Sequence, residues 1–237
     1  MLLGERAAIA TCQIYFSVQI ALRVVEQPFS VEALIMVAKK NLPRTQGIKR
    51  VVTLPVEPLD HKSFEPFGQV IGEFEDKPAW QRPRLTSWRL KFSIDGTPDL
   101  KVIRYHFQKM EFDILERHIS HTETRLPLGG GDFVMVVAAP TSPLNSPINP
   151  STNQIRAFLV KANQGIMLWR GTWHSLDTYP VLPPHVDLGF ISEVETQAEI
   201  EVEQDRPKTS NLTHVADYKP DGITFRVVDP KHLLKQD

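Results

Sequence analysis

An all-β fold, closed as an antiparallel barrel or jelly roll with a few short helices, is what the sequence predicts. Three features lead there. Short apolar runs recur along the chain, several alternating with polar residues at the period of a half-buried strand. The 19 prolines scattered over 237 residues rule against long interior helices. No stretch of crossover-helix length separates the runs, as a parallel sheet would require.

The runs follow in order. Residues 51–56 read as a strand, residues 58–67 as one or two helical turns, Gly68 as their stop and residues 70–71 as a short strand. Residues 88–92 alternate Trp, Arg, Leu, Lys, Phe and so read as a one-sided strand. Residues 100–105, 112–117, 133–139, 154–160, 166–169 and 186–194 complete the set. The stretch 140–152 is crowded with proline, serine and threonine and reads as a surface loop. Residues 205–237 turn polar and read as a tail packed across the domain or a partner subunit. Residues 1–50 differ in texture from everything after them. Two readings stay open: an amphipathic helical extension, or a start codon that lies later, for instance at Met36. The domain expected to carry the function is therefore 51–204.

Composition excludes several classes. With 27 basic and 28 acidic residues the net charge is −1, which lacks the basic footprint that binds a phosphate backbone, so no nucleic-acid partner is expected. The apolar stretch 7–25 is interrupted by Gln13, Gln19 and Arg23, so no membrane span is expected. A single cysteine, Cys12, cannot form an internal disulfide, which points to a reducing, cytoplasmic setting.

The densest group of ligand-type residues is His118, His121 and Glu123. In one continuous strand His121, Glu123 and Arg125 would share a face and His118 the other, so a metal site using both histidines needs a turn or bulge between them. Solvated histidines and a Glu123–Arg125 surface pair are the plainer account. His174 follows a glycine turn in Gly171-Thr-Trp-His-Ser, where Trp173 reads as a core or rim aromatic. Arg104 and Arg156 interrupt apolar strands: each either snorkels outward from the wall or faces inward as a two-pronged receptor for a carboxylate. No nucleophile elbow surrounds Ser175, and the glycines at 129–131 precede no helix, so hydrolase and nucleotide-cradle chemistry are not indicated.

Leu115-Glu-Arg-His118, Pro127-Leu with Phe133-Val-Met-Val-Val-Ala138, Ile155-Arg-Ala-Phe, Asn163-Gln-Gly and Gly171-Thr-Trp-His, with Phe64-Glu-Pro-Phe-Gly-Gln-Val-Ile before them, resemble the ureidoglycolate lyases over residues 51–195. The resemblance implies a cupin-like antiparallel β-jelly-roll barrel, a homodimer, and cleavage of ureidoglycolate to glyoxylate and urea in allantoin degradation. It puts the family's two histidines on His118 and His174 and its strand arginine on Arg104. The site this suggests has His118, His174 and Glu123 as catalytic groups, with Arg104, Arg125 and Trp173 holding a small carboxylate substrate. Either no metal or a divalent one, such as nickel, is implied, with His118, His121, Glu123 and His174 as candidate ligands. The chain departs from the family where Glu123 and Arg125 replace a glutamine and an aromatic, and where Ser175-Leu176 replaces a proline. Those departures keep two alternatives open: a metal-dependent cupin enzyme acting on another small oxo- or hydroxy-acid, and a non-catalytic carboxylate-binding cupin.

Overall fold

The computed structural model describes residues 49–72, 74, 77–144, 148–202 and 206–234. The expected N-terminal helix lies outside the described residues. Strand pairing organises the rest. The elements are β1 (Arg50–Leu54), β2 (Val56–Pro58), α1 (His61–Phe64), β3 (Gly68–Ile71), β4 (Trp80–Arg82), β5 (Leu85–Ser87), β6 (Pro98–His106), β7 (Glu111–Phe112), β8 (Ile114–His118), β9 (Glu123–Leu128) and β10 (Phe133–Ala138). They continue with β11 (Arg156–Val160), β12 (Gly165–Leu168), β13 (Trp173–Ser175), β14 (Tyr179–Pro180), β15 (His185–Glu193), α2 (Val194–Val202), β16 (Thr213–Asp217) and β17 (Ile223–Val227).

A seven-stranded sheet runs β16-β8-β13-β10-β11-β2, with β14 also on β10; a five-stranded sheet runs β3-β12-β9-β15-β6; a three-stranded sheet runs β1-β17-β7. The unbroken apolar run of β10 shows why the layers stack as they do. Phe133, Met135 and Val137 face Val70, Ile166, Leu168, Val186 and Leu188 of the five-stranded sheet. Val134, Val136 and Ala138 face the opposite way, toward Leu54, Phe225 and Val227 of the three-stranded sheet. A strand buried on both faces has no polar position to alternate with, so its sequence reads as a continuous run. Phe64, Phe67 and Phe158 close one end of the inner core, Phe64 meeting Phe158 edge to face at 5.3 Å.

Most pairs are antiparallel, but β2 on β11 and β1 on β17 are parallel. Three sequence expectations change. Residues 88–92 form no strand: Lys91 N–H bonds the Gln69 side chain instead, and only the isolated bridge Ile94↔His121 follows. α2 continues directly from β15, where no helix was expected. Residues read as a tail supply β16, which pairs along the whole of β8, and β17. No helix among the described residues is long and apolar enough to cross a membrane.

Candidate active site

The site forms where the chain leaves the seven-stranded sheet for the five-stranded one. In β8, Glu116 and His118 are two residues apart and project to the same side. β13 lays His174 directly opposite Glu116. Residues 119–122 then cross between the sheets, and β9 opens with Glu123 followed two positions later by Arg125. That crossing supplies the break between His118 and Glu123 that a shared site demands. Gly171 adopts φ +76°, and its N–H bonds the His118 carbonyl at 2.7 Å, which draws the β13 turn against the end of β8.

Six polar side chains, Glu116, His118, His121, Glu123, Arg125 and His174, meet here with almost no exposure. His118 Nε2 lies 3.4 Å from Glu123 Oε2 and 3.9 Å from Glu116 Oε1. His174 Nε2 lies 3.7 Å from Glu123 Oε1, and the two rings are 5.1 Å apart. Arg125 Nη1 presses against Glu123 Oε1, and the guanidinium lies 5.2 Å from the Phe190 ring centre. His121 stacks on His118 at 5.3 Å. The outer nitrogens are anchored: His174 Nδ1 donates to the Ser175 carbonyl at 3.0 Å, and His118 Nδ1 meets Thr213 Oγ1 at 3.1 Å. The inner atoms are not. Glu116 Oε2 and the Nε2 atoms of His118, His121 and His174 are buried without a hydrogen-bond partner among the described residues. Glu123 Oε1 and Arg125 Nη1 touch without hydrogen-bonding alignment. So many orphaned polar atoms converging in one place would cost roughly 1–3 kcal/mol each if left unmet, which is the signature of a site built for a ligand.

The electrostatics divide the two carboxyls. Burial, reinforced by the Glu123 charge, pushes Glu116 up to about 8. Burial also works against the charge on Glu123, but Arg125 and the three imidazoles outweigh it and bring that carboxyl down to about 2. Burial lowers His174 to about 4 and lowers His118 well below its ordinary value. At neutral pH the cluster therefore presents one protonated carboxyl, one carboxylate and neutral imidazoles, a division of labour suited to acid–base chemistry.

The structure brings together His118, His121, Glu123, Arg125 and His174. It does not bring Arg104 or Trp173. On β6, Ile103 and Tyr105 point inward, so strand alternation turns Arg104 out, where Nε and Nη2 each bond Asp187 at 2.7 Å. Trp173 points opposite to its neighbour His174, into the outer core, with Arg117 stacked 4.5 Å above it. Arg156 is likewise occupied, paired with Glu57. Glu116 was missed because a lone glutamate in an apolar strand names no partner; its two-residue spacing from His118 was the available signal. Glu116, His118 and His174 offer ligand atoms within 4.8 Å of one another, and two imidazole nitrogens with a carboxylate suit a divalent transition metal.

A family model described as ureidoglycolate lyase matches residues 51–209. The chain is 33% identical over 139 residues to a ureidoglycolate lyase of Pseudomonas fluorescens (strain Pf0-1), covering 55% of this chain and 77% of that protein. To one of Burkholderia mallei (strain NCTC 10229) it is 30% identical over 152 residues, covering 60% and 79%. To one of Pseudomonas paraeruginosa (strain DSM 24068 / PA7) it is 34% identical over 139 residues, covering 55% and 76%. Among solved structures it is similar to RmlC from Streptococcus suis in complex with dTDP-D-xylose at 9% identity and TM-score 0.26, over 48% of this chain and 61% of that one, too slight a likeness to carry an argument. The family match, spanning both strands that carry the histidines, settles the assignment: the chain belongs to the ureidoglycolate lyase family.

Proposed function

We propose that this protein is a ureidoglycolate lyase, splitting ureidoglycolate into glyoxylate and urea, and that the buried histidine–carboxylate cluster performs the reaction. The observation that carries the reading is the convergence of unpartnered buried nitrogens and carboxyl oxygens from β8, β9 and β13 within a chain of this family.

Ureidoglycolate is a carbinolamide: one carbon bears a hydroxyl, a carboxylate and a urea nitrogen. Cleavage removes the hydroxyl proton, forms the carbonyl of glyoxylate, breaks the carbon–nitrogen bond and returns a proton to the departing nitrogen. The base must be unprotonated and the acid protonated at the same pH. His174 and His118, kept neutral by burial, fit the first requirement, and Glu116, kept protonated, fits the second. Glu123 stays ionised beside both rings and stabilises the imidazolium that forms. Arg125 is the guanidinium at hand for the substrate carboxylate: its Nε has no hydrogen-bond partner among the described residues, while Nη1 faces Glu123. If a divalent cation is bound, Glu116, His118 and His174 would hold it, and it would acidify the substrate hydroxyl.

The two facing sheets are consistent with a cupin-type barrel. The outer face of the five-stranded sheet exposes Leu100, Val102 and Leu128, which supports a homodimer with that face as the contact. The lone Cys12 supports a cytoplasmic setting. The direct experiment incubates the purified protein with racemic ureidoglycolate, before and after chelator treatment. Equimolar urea and glyoxylate are expected; no release beyond the uncatalysed rate in either preparation would refute the reading.

A further inference from the structure

His121 belongs to the cluster, yet the reaction above gives it no task. Its side chain is fully buried, its Nε2 faces no partner, and its Nδ1 lies 3.3 Å from Ser120 Oγ and 3.8 Å from Glu193 Oε2. Which nitrogen carries the proton is decided by the hydroxyl between them. Glu193 Oε1 accepts the Gly96 N–H at 2.7 Å, and Oε2 accepts from Thr196 Oγ1 at 2.6 Å and from Ser120 Oγ at 2.5 Å. A carboxylate only accepts, and a serine hydroxyl has one proton to give. The contact to Glu193 is far shorter than the one to His121, so that proton goes to the carboxylate. Ser120 Oγ then has only lone pairs left for the ring, and His121 Nδ1 must donate to it. A neutral imidazole has one N–H, so Nε2 is a bare lone pair. Burial lowers the ring's proton affinity, and the three donors keep Glu193 below its usual value against the pull of burial, in keeping with this arrangement.

We propose that Glu193 and Ser120 are positioning residues that lock His121 in its Nδ1–H tautomer, so that the ring stacked on His118 offers the reacting cluster a bare Nε2 lone pair. His174 is set the same way by a different device, its Nδ1 donating to the Ser175 carbonyl. Gly96 suits this corner: a Cβ there would lie 2.4 Å from Glu195 Oε2 and 2.7 Å from Glu193 Oε1, crowding the oxygen its N–H reaches. The proposal rests on the reading of the cluster as the reacting site.

Glu193→Gln tests it, because the replacement is nearly isosteric but reverses the chain of donors. The Gly96 N–H requires the carbonyl oxygen of Gln, which leaves the amide NH2 facing Ser120. Ser120 Oγ then accepts from the amide and turns its own proton toward His121 Nδ1, forcing the proton onto Nε2. Imidazole nitrogen shifts of the metal-free full chain read the tautomer directly. The wild type is expected to show a protonated His121 Nδ1 and bare Nε2, and Glu193→Gln the reverse. Turnover of ureidoglycolate should fall about 10–100-fold with KM changing less, as losing an orienting carboxylate does elsewhere. A proton on Nε2 in the wild type overturns the proposal whether or not the variant folds; so does a Glu193→Gln protein with unchanged tautomer or turnover. Failure of the wild type to release urea would instead refute the substrate reading, while the nitrogen shifts still decide the tautomer lock.

Discussion

Glu116 shows how much one side chain's surroundings determine. Its ordinary value is 4.5, and in the folded protein it stands at about 8, because burial disfavours the charge and Glu123 opposes it. Between those two values the folded chain keeps a proton that the unfolded chain has released. Its favourable contribution is therefore complete below the lower value and is lost as pH rises toward the upper one. In the metal-free protein, Glu116→Gln should remove that loss. Its thermal midpoint, followed by circular dichroism, should fall less than the wild type's from about pH 5 to about pH 8. His174 gives the opposite limb: lowered from 6.5 to about 4, it costs stability as the pH falls through that interval. Arg125 and Glu123 test the charge balance. Arg125→Ala leaves a buried carboxylate without its cation and should cost about 3–5 kcal/mol by urea denaturation, the amount found when one partner of a buried pair is removed. At this scale the sequence disclosed His118, Glu123 and His174 as residue types suited to proton transfer. It could not disclose that the guanidinium facing them is Arg125 and not Arg104, because inward or outward depends on where each strand's alternation begins.

Among the elements, β10 is the one the others depend on. Met135 is fully buried between the sheets, and Met135→Ala should cost about 2–5 kcal/mol through the cavity it leaves. Val202→Ala at the exposed end of α2 should stay within about 0.5 kcal/mol. Denaturant titration of the two variants measures the contrast, and equal costs would contradict the layer assignment. β10 was legible because an unbroken apolar run of six residues cannot avoid burial on both faces. Residues 88–92 misled because alternation describes only which way side chains point in an extended chain. Whether a neighbouring strand is present to complete the ladder is a long-range fact, and here the Gln69 side chain takes the Lys91 donor and Thr122 that of Ser93 just beyond. β16 was missed for a related reason: its Thr-His-Val-Ala-Asp looks polar, yet it becomes a strand by pairing with β8 and seating Thr213 against His118.

For the whole molecule, the outer face of the five-stranded sheet is where assembly is expected. Leu100 is 76% exposed and Val102 64% exposed, with Gly189 opposite Val102 leaving that part of the face flat. Val102→Asp should therefore shift the species seen by light scattering from dimer to monomer at micromolar concentration while leaving the fold intact, since the side chain meets solvent in the single chain. A wild-type monomer, or a dimer indifferent to the substitution, would rule out this face. The central claim, that imidazoles from β8 and β13 converge to cleave a carbinolamide, is tested most directly by comparing kcat/KM for urea release in His174→Ala and Arg104→Ala. His174→Ala should lose about 10²–10⁴-fold, the usual contribution of a positioned acid or base, and the surface Arg104→Ala less than about threefold. Full turnover in His174→Ala would contradict it.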